Sequence, residues 1–159
     1  ISKPLGFTAF FVIVLSLMAS CGGQETNSGS ANRMNRPNDS NPPKTNVEEL
    51  GLIVKIPYET EDIVWKNYSE TKRIVAVLRF SSVNANKIVA EAGGTPEGRS
   101  VPVETWFPAE LTAQSEMSGD NALKGIAYPA TGFYQEPYVA GKMTRIDGTD
   151  YFILELTAK

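Results

Sequence analysis

Two apolar runs flank Asp147-Gly148 near the C-terminus, and no other feature of the chain limits its possible folds so sharply. Asp-Gly is favoured at the centre of a type I′ turn, where both residues need positive φ, so the chain is expected to fold back there as a hairpin with a two-residue loop. In that register Ile146 faces Thr149, Arg145 faces Asp150, Met143 faces Phe152, Gly141 faces Leu154 and Val139 faces Leu156. One face of the hairpin then gathers the large apolar side chains and needs something to cover it.

Upstream patterning supplies further elements. Leu52, Val54, Ile56 and Tyr58 alternate with Ile53, Lys55 and Pro57, the period of a half-buried strand that ends beside the proline. Arg73 to Phe80 places Ile74, Ala76, Leu78 and Phe80 on one face and Val75, Val77 and Arg79 on the other, which suits a central strand covered on both sides. Ser81 or Ser82 can cap a helix whose Ala85, Ile88, Val89 and Ala92 fall at i, i+3, i+4 and i+7, and Gly93-Gly94 stops it. Thr95 to Ser100 reads as a loop, Pro108 suits the first turn of a short second helix reaching Gln114, and Ser115 to Asn121 reads as another loop. Strands, then helices, then strands, without βαβ repetition, imply an α+β domain with a largely antiparallel sheet.

The chain has 159 residues, no histidine and one cysteine. It therefore holds no Ser-His-Asp or Cys-His catalytic set, no Cys/His zinc site and no internal disulfide. Net charge is -3 and the pI about 5.1, with no run of Lys or Arg, so nucleic acid is not an expected partner. Glycine-rich phosphate loops and nucleophile-elbow patterns are missing from the sequence, and no cofactor is expected.

Residues 1–20 are of a different kind. Lys3 precedes the apolar run Leu5 to Met18, which as a helix reaches only about 21 Å against a hydrocarbon core of about 30 Å, so a secretory signal peptide fits better than a permanent span. Met18-Ala19-Ser20-Cys21 resembles the lipobox of bacterial lipoproteins. That resemblance implies cleavage before Cys21, a diacylglyceryl thioether on its sulfur, and a membrane anchor in which each buried acyl CH₂ contributes about 0.8 kcal/mol. Gly22, where some lipoproteins have Asp, implies by the enterobacterial rule the periplasmic face of the outer membrane.

From Gly22 to Asn46 the chain is rich in Asn, Gly, Ser and Pro, with Ala31 and Met34 its only apolar residues. This composition predicts a disordered tether, holding the domain roughly 25 to 30 Å from its anchor. The expected organisation is thus a signal peptide (1–20), a lipidated cysteine with tether (21–46) and one domain (47–159). The last carries 11 basic and 16 acidic side chains, a net charge of -5.

Three constellations merit weighing as chemistry. Glu104 and Glu110 flank Trp106-Phe107-Pro108, and paired carboxylates beside aromatic rings are how many glycosidases work; the plainer reading puts Glu110 in the first turn of a helix and Glu104 in solvent. Asp147-Gly148-Thr149-Asp150 has two carboxylates but lacks the remaining ligands of a calcium loop, and a hairpin turn accounts for it. Trp106, Tyr128, Phe133, Tyr134 and Tyr138, with Phe107, are spaced by prolines and glycines, an arrangement suited to a ligand-binding surface and equally to a small core. The leading expectation is a lipid-anchored cell-envelope protein whose domain binds an envelope protein, a glycan or a small ligand without catalysis. The alternatives are a carboxylate hydrolase of envelope polysaccharide and a purely structural or assembly lipoprotein.

Overall fold

The structure, a computed structural model, describes residues 41–159. Cys21, the signal-like segment and most of the tether lie outside the described residues. Six strands form one antiparallel sheet: β1 (Thr60–Tyr68), β2 (Arg73–Phe80), β3 (Glu97–Pro102), β4 (Ala122–Pro129), β5 (Tyr138–Ile146) and β6 (Tyr151–Ala158), in the spatial order β1-β2-β6-β5-β4-β3. Helices α1 (Val47–Gly51), α2 (Ser82–Glu91) and α3 (Ala109–Ser118) complete an α+β fold.

The period of two in β2 and β6 explains why the sheet has two cores. Ile74, Ala76, Leu78 and Phe80 join Phe152, Leu154 and Leu156, together with Ile63 and Trp65 of β1, beneath Leu50 of α1 and Ala85 and Ile88 of α2. Phe80 and Phe152 meet edge-on with centroids 5.7 Å apart, a geometry worth about 0.5–1.5 kcal/mol beyond area burial. The intervening Val75, Val77, Tyr151 and Ile153 pack with Val101, Leu123 and Ile146 against Phe107 and against Leu111 of α3. Thus β2 is covered on both faces, as its continuous apolar run predicts.

Helix α2 also follows the sequence. Ser81 Oγ accepts from the Asn84 amide at 3.3 Å, and Gly93 and Gly94 both take positive φ just beyond the helix. The second helix runs longer than expected, to Ser118, with its Pro108 carbonyl accepting from Leu111 and Thr112.

Four expectations need correction. Leu52–Tyr58 is not a strand: Asn46 Oδ1 caps α1 through the Glu49 amide, and Ile53 and Val54 donate back to the Leu50 carbonyl. Leu50 and Val54 are buried by helical spacing while Leu52 is 75% exposed, so the alternation there was accidental. The strand lies farther on, as β1. Second, Glu97–Pro102 is an edge strand, not a loop; its exposed Glu97, Gly98, Ser100 and Pro102 carry no alternating apolar signal.

Third, the hairpin loop holds four residues. Only Gly148 of the central pair has positive φ (+72°), and Thr149 N donates to Ile146 O at 3.2 Å, so the turn is not type I′. Arg145 then pairs with Phe152, Met143 with Leu154 and Gly141 with Leu156. The shift from the expected register is two residues, which leaves every side chain on its expected face.

Fourth, residues 41–46, assigned by composition to the tether, run along the outer edge of β1. Lys44 and Trp65 exchange both backbone hydrogen bonds at 2.8 Å, the Asn41 amide donates to Asn67 O at 2.7 Å, and the Trp65 indole donates to Asn46 O at 3.1 Å. Backbone pairing is blind to composition, so a polar segment can cap a sheet edge that would otherwise present unpaired groups.

Candidate functional site

The β5–β6 loop is fastened to both sides of the sheet. On the α2 side, Arg145 donates from Nε to Thr149 O (3.3 Å), from Nη1 to Asn86 Oδ1 (2.9 Å) and from Nη2 to Asp150 Oδ1 (2.7 Å), while Ser82 Oγ donates to Asp150 Oδ2. From α3, Gln114 Nε2 donates to Asp147 O at 3.1 Å, and Asp147 N donates to Lys124 O at 3.0 Å. Within the loop, Thr149 Oγ1 donates to Ile146 O (3.0 Å) and accepts from Tyr151 N (3.1 Å). These bonds hold the loop in one shape.

That shape forms one wall of an open groove of about 330 Å³, lined by Ile126 and Tyr128 of β4, Arg145 and Ile146 of β5, and residues 147–150. Ile126 pairs with Gly98 of β3, and the missing side chain leaves the floor open toward that edge. The result is an apolar floor against a wall of alternating charge and hydroxyl groups. Small-molecule sites join an apolar lining to a few placed polar groups, and here the polar share is the larger.

A second polar assembly lies on the α3 face. The Tyr68 hydroxyl and the Trp106 indole both donate to Glu104 Oε2 at 2.7 Å. The Arg73 guanidinium stands 5.7 Å from the Tyr68 ring centroid and donates to Glu155 Oε1 at 2.8 Å, and Arg99 pairs with the other oxygen, Oε2. Burial, with the Glu104 carboxylate as a lesser cause, pushes the Tyr68 phenol up to about 12, so it remains a hydrogen-bond donor at any ordinary pH. The assembly joins β1, β2, β6, β3 and the segment leading to α3.

The aromatic residues do not form one surface. Phe133 and Tyr138 are core residues, 1% and 7% exposed, and Phe107 is buried as well. Tyr128 and Tyr134 are half-buried against the α2-face core, whereas Trp106 packs on the opposite face beside Phe107, at 4.7 Å between centroids. Tyr134 donates to Gly141 O (3.0 Å) and Tyr138 to Asn67 Oδ1 (3.2 Å), so both hydroxyls serve the fold. Of the five, only Tyr128 lines the groove. Of the two readings the spacing by Pro and Gly allows, the core one holds for Phe133 and Tyr138, whose rings turn inward.

Glu110 is exposed in the first turn of α3, and Glu104 is half-buried with both of its donors on one oxygen. Among the described residues no group of His, Cys, Asp or Glu is arranged to hold a metal ion, and no helix is long and apolar enough to cross a membrane. The groove residues Arg145, Thr149 and Asp150 carried one signal in the sequence: the hairpin sets Arg145 near Asp150, and their side chains do meet. Tyr68, Arg73, Arg99 and Glu155 lie on four different strands and shared no local pattern. Comparison of the chain with protein-family models, curated proteins and solved structures found no match.

Proposed function

We propose that this is a lipid-anchored protein of the bacterial cell envelope, most simply on the periplasmic face of the outer membrane, whose folded domain binds a partner without catalysis. The anchor rests on Met18-Ala19-Ser20-Cys21 at the end of an apolar run and on the chain having no other cysteine. The binding reading is carried by one observation, the groove beneath the β5–β6 loop. Its polar groups are already held by the protein, so a ligand meets a site whose ordering cost has been met in folding. Arg145 and Asp150 neutralise one another, which suits recognition better than proton transfer. The hydrolase alternative draws less support, because Glu104 ties Tyr68 to Trp106 and Glu110 sits where the helix dipole favours a carboxylate.

A photo-crosslinking residue placed at Ile126 of the full chain tests this in cells. The expected result is an adduct that appears on irradiation, and that Tyr128→Ala removes while the chain still unfolds in one cooperative transition, at a lower temperature because Tyr128 also packs on the core. No adduct from position 126, or an adduct that the same probe at a surface site such as Lys55 gives in equal amount, would contradict a site in the groove.

A further inference from the structure

We infer that the groove takes a neutral saccharide; this rests on the binding function proposed above and names the class of its ligand. Ile126 and Tyr128, two residues apart on β4 and so on one face of the sheet, both line the groove, and both are half-buried. The C–H face of a sugar ring is apolar and packs on an aromatic ring.

The wall decides among polar ligands. Arg145 uses three of its N–H groups on Thr149, Asn86 and Asp150, and a guanidinium has five, so two donors remain in the same plane. Asp147, Thr149 and Asp150 line the same wall; the Thr149 hydroxyl donates its hydrogen to Ile146 O, and each Asp150 oxygen already accepts one bond, so what this side of the wall still offers is lone pairs. One wall thus joins the spare Arg145 donors to carboxylate acceptors, which matches neighbouring hydroxyls, since each both donates and accepts. One cation against two carboxylates leaves the wall negative, which disfavours phosphate, carboxylate or sulfate ligands.

An extended peptide fits less well. Peptides laid along a sheet take their affinity from unpaired backbone groups of an edge strand. Here β4 is paired on both sides, to β3 and to β5, so the groove floor offers side chains and no backbone ladder. The space of about 330 Å³ also lies at the small end of ligand sites, the scale of one or two rings.

The test uses the full chain in detergent micelles, with amide and Arg side-chain resonances followed by NMR. The probes are methyl glycosides of glucose, galactose, mannose and N-acetylglucosamine, a methyl glucuronide as the anionic counterpart, and an uncharged hexapeptide. The expected result is saturable shifts of Ile126, Arg145 and Thr149 with at least one neutral glycoside, and weaker or no shifts with the glucuronide. Tyr128→Ala should reduce that affinity at least tenfold, and Asp147→Asn, which leaves the folded core untouched, should reduce it as well. Shifts in the groove caused by the glucuronide or the peptide but by no neutral glycoside would overturn the saccharide and leave the groove as a binding site. Silence of the groove towards every probe would also overturn the saccharide, and together with no adduct at Ile126 in cells it would overturn both.

Discussion

The Tyr68 hydroxyl donates to Glu104 Oε2 at 2.7 Å, although Tyr68 ends the strand at one edge of the sheet and Glu104 follows the strand at the other. The contact closes the segment before α3 over the α3-face core. A hydrogen bond to a carboxylate that is partly withdrawn from water contributes more than an exposed one, and Tyr68→Phe should cost about 1.5 kcal/mol at neutral pH. The sign of its pH dependence follows from the phenol. Its native pKa is pushed up to about 12, first by burial and then by Glu104, above an unfolded value near 10. The contribution is complete below about pH 10 and disappears as pH rises toward 12. Tyr151 is shifted upward too, by burial and by Asp62 and Glu110, so the informative quantity is the difference between wild type and variant. Denaturant unfolding at neutral and alkaline pH should show that difference shrinking with pH; a constant difference, or none at neutral pH, would contradict the account.

Two glycines should respond differently to the same change. A Cβ on Gly125 would lie 2.2 Å from the Arg145 carbonyl oxygen, inside the β4–β5 ladder, where backbone has no room to yield. Gly148 has φ +72° and open space around the position of a Cβ. Gly148→Ala should therefore cost only the left-handed strain, about 1 kcal/mol, while Gly125→Ala should cost about 3 kcal/mol or prevent folding. Melting curves of the two variants in parallel check the ranking, and equal losses would mean that β4 and β5 are not in this register.

Much of the fold could be read along the chain because its signals are local. Ser81, the Ala85–Ile88 spacing and Gly93-Gly94 define α2 without help from the rest of the protein, and the double-sided apolar pattern of Arg73–Phe80 needs a position between two layers. The hairpin showed itself for the same reason, while its loop length did not: Arg145, Thr149 and Asp150 bond to one another and to α2, and those tertiary bonds select a four-residue loop over the tight turn that Asp147-Gly148 favours alone. Strand β3 is held by its pairing to β4 and by ion pairs such as Lys142–Glu97, and Val101 is its single buried side chain, too little to give an alternating apolar pattern. Glu97 accordingly titrates below the usual carboxylate range, through its hydrogen bond to Lys142. The site was the least legible part. Tyr128 stood out as one aromatic among several, and nothing short of the folded sheet separates it from Phe133 and Tyr138, whose rings fill the core.

The segment before α1 should matter to stability despite its composition. Lys44→Pro removes the amide that donates to Trp65 O and the ammonium that stands 4.9 Å from the Trp65 ring centroid. We expect a loss of about 1–2 kcal/mol and faster hydrogen exchange of the Trp65 amide, which donates to Lys44 O. Unchanged exchange at Trp65 would show that residues 41–46 do not cap β1 in solution.

The measurement that bears most directly on the account is the mass of the N-terminal peptide from protein isolated from bacterial membranes. The account predicts a chain that starts at Cys21 and carries a diacylglyceryl thioether on its sulfur, and predicts that Cys21→Ser releases the protein from acylation. A mature protein that retains residues 1–20, or one that begins elsewhere with Cys21 unmodified, would contradict it.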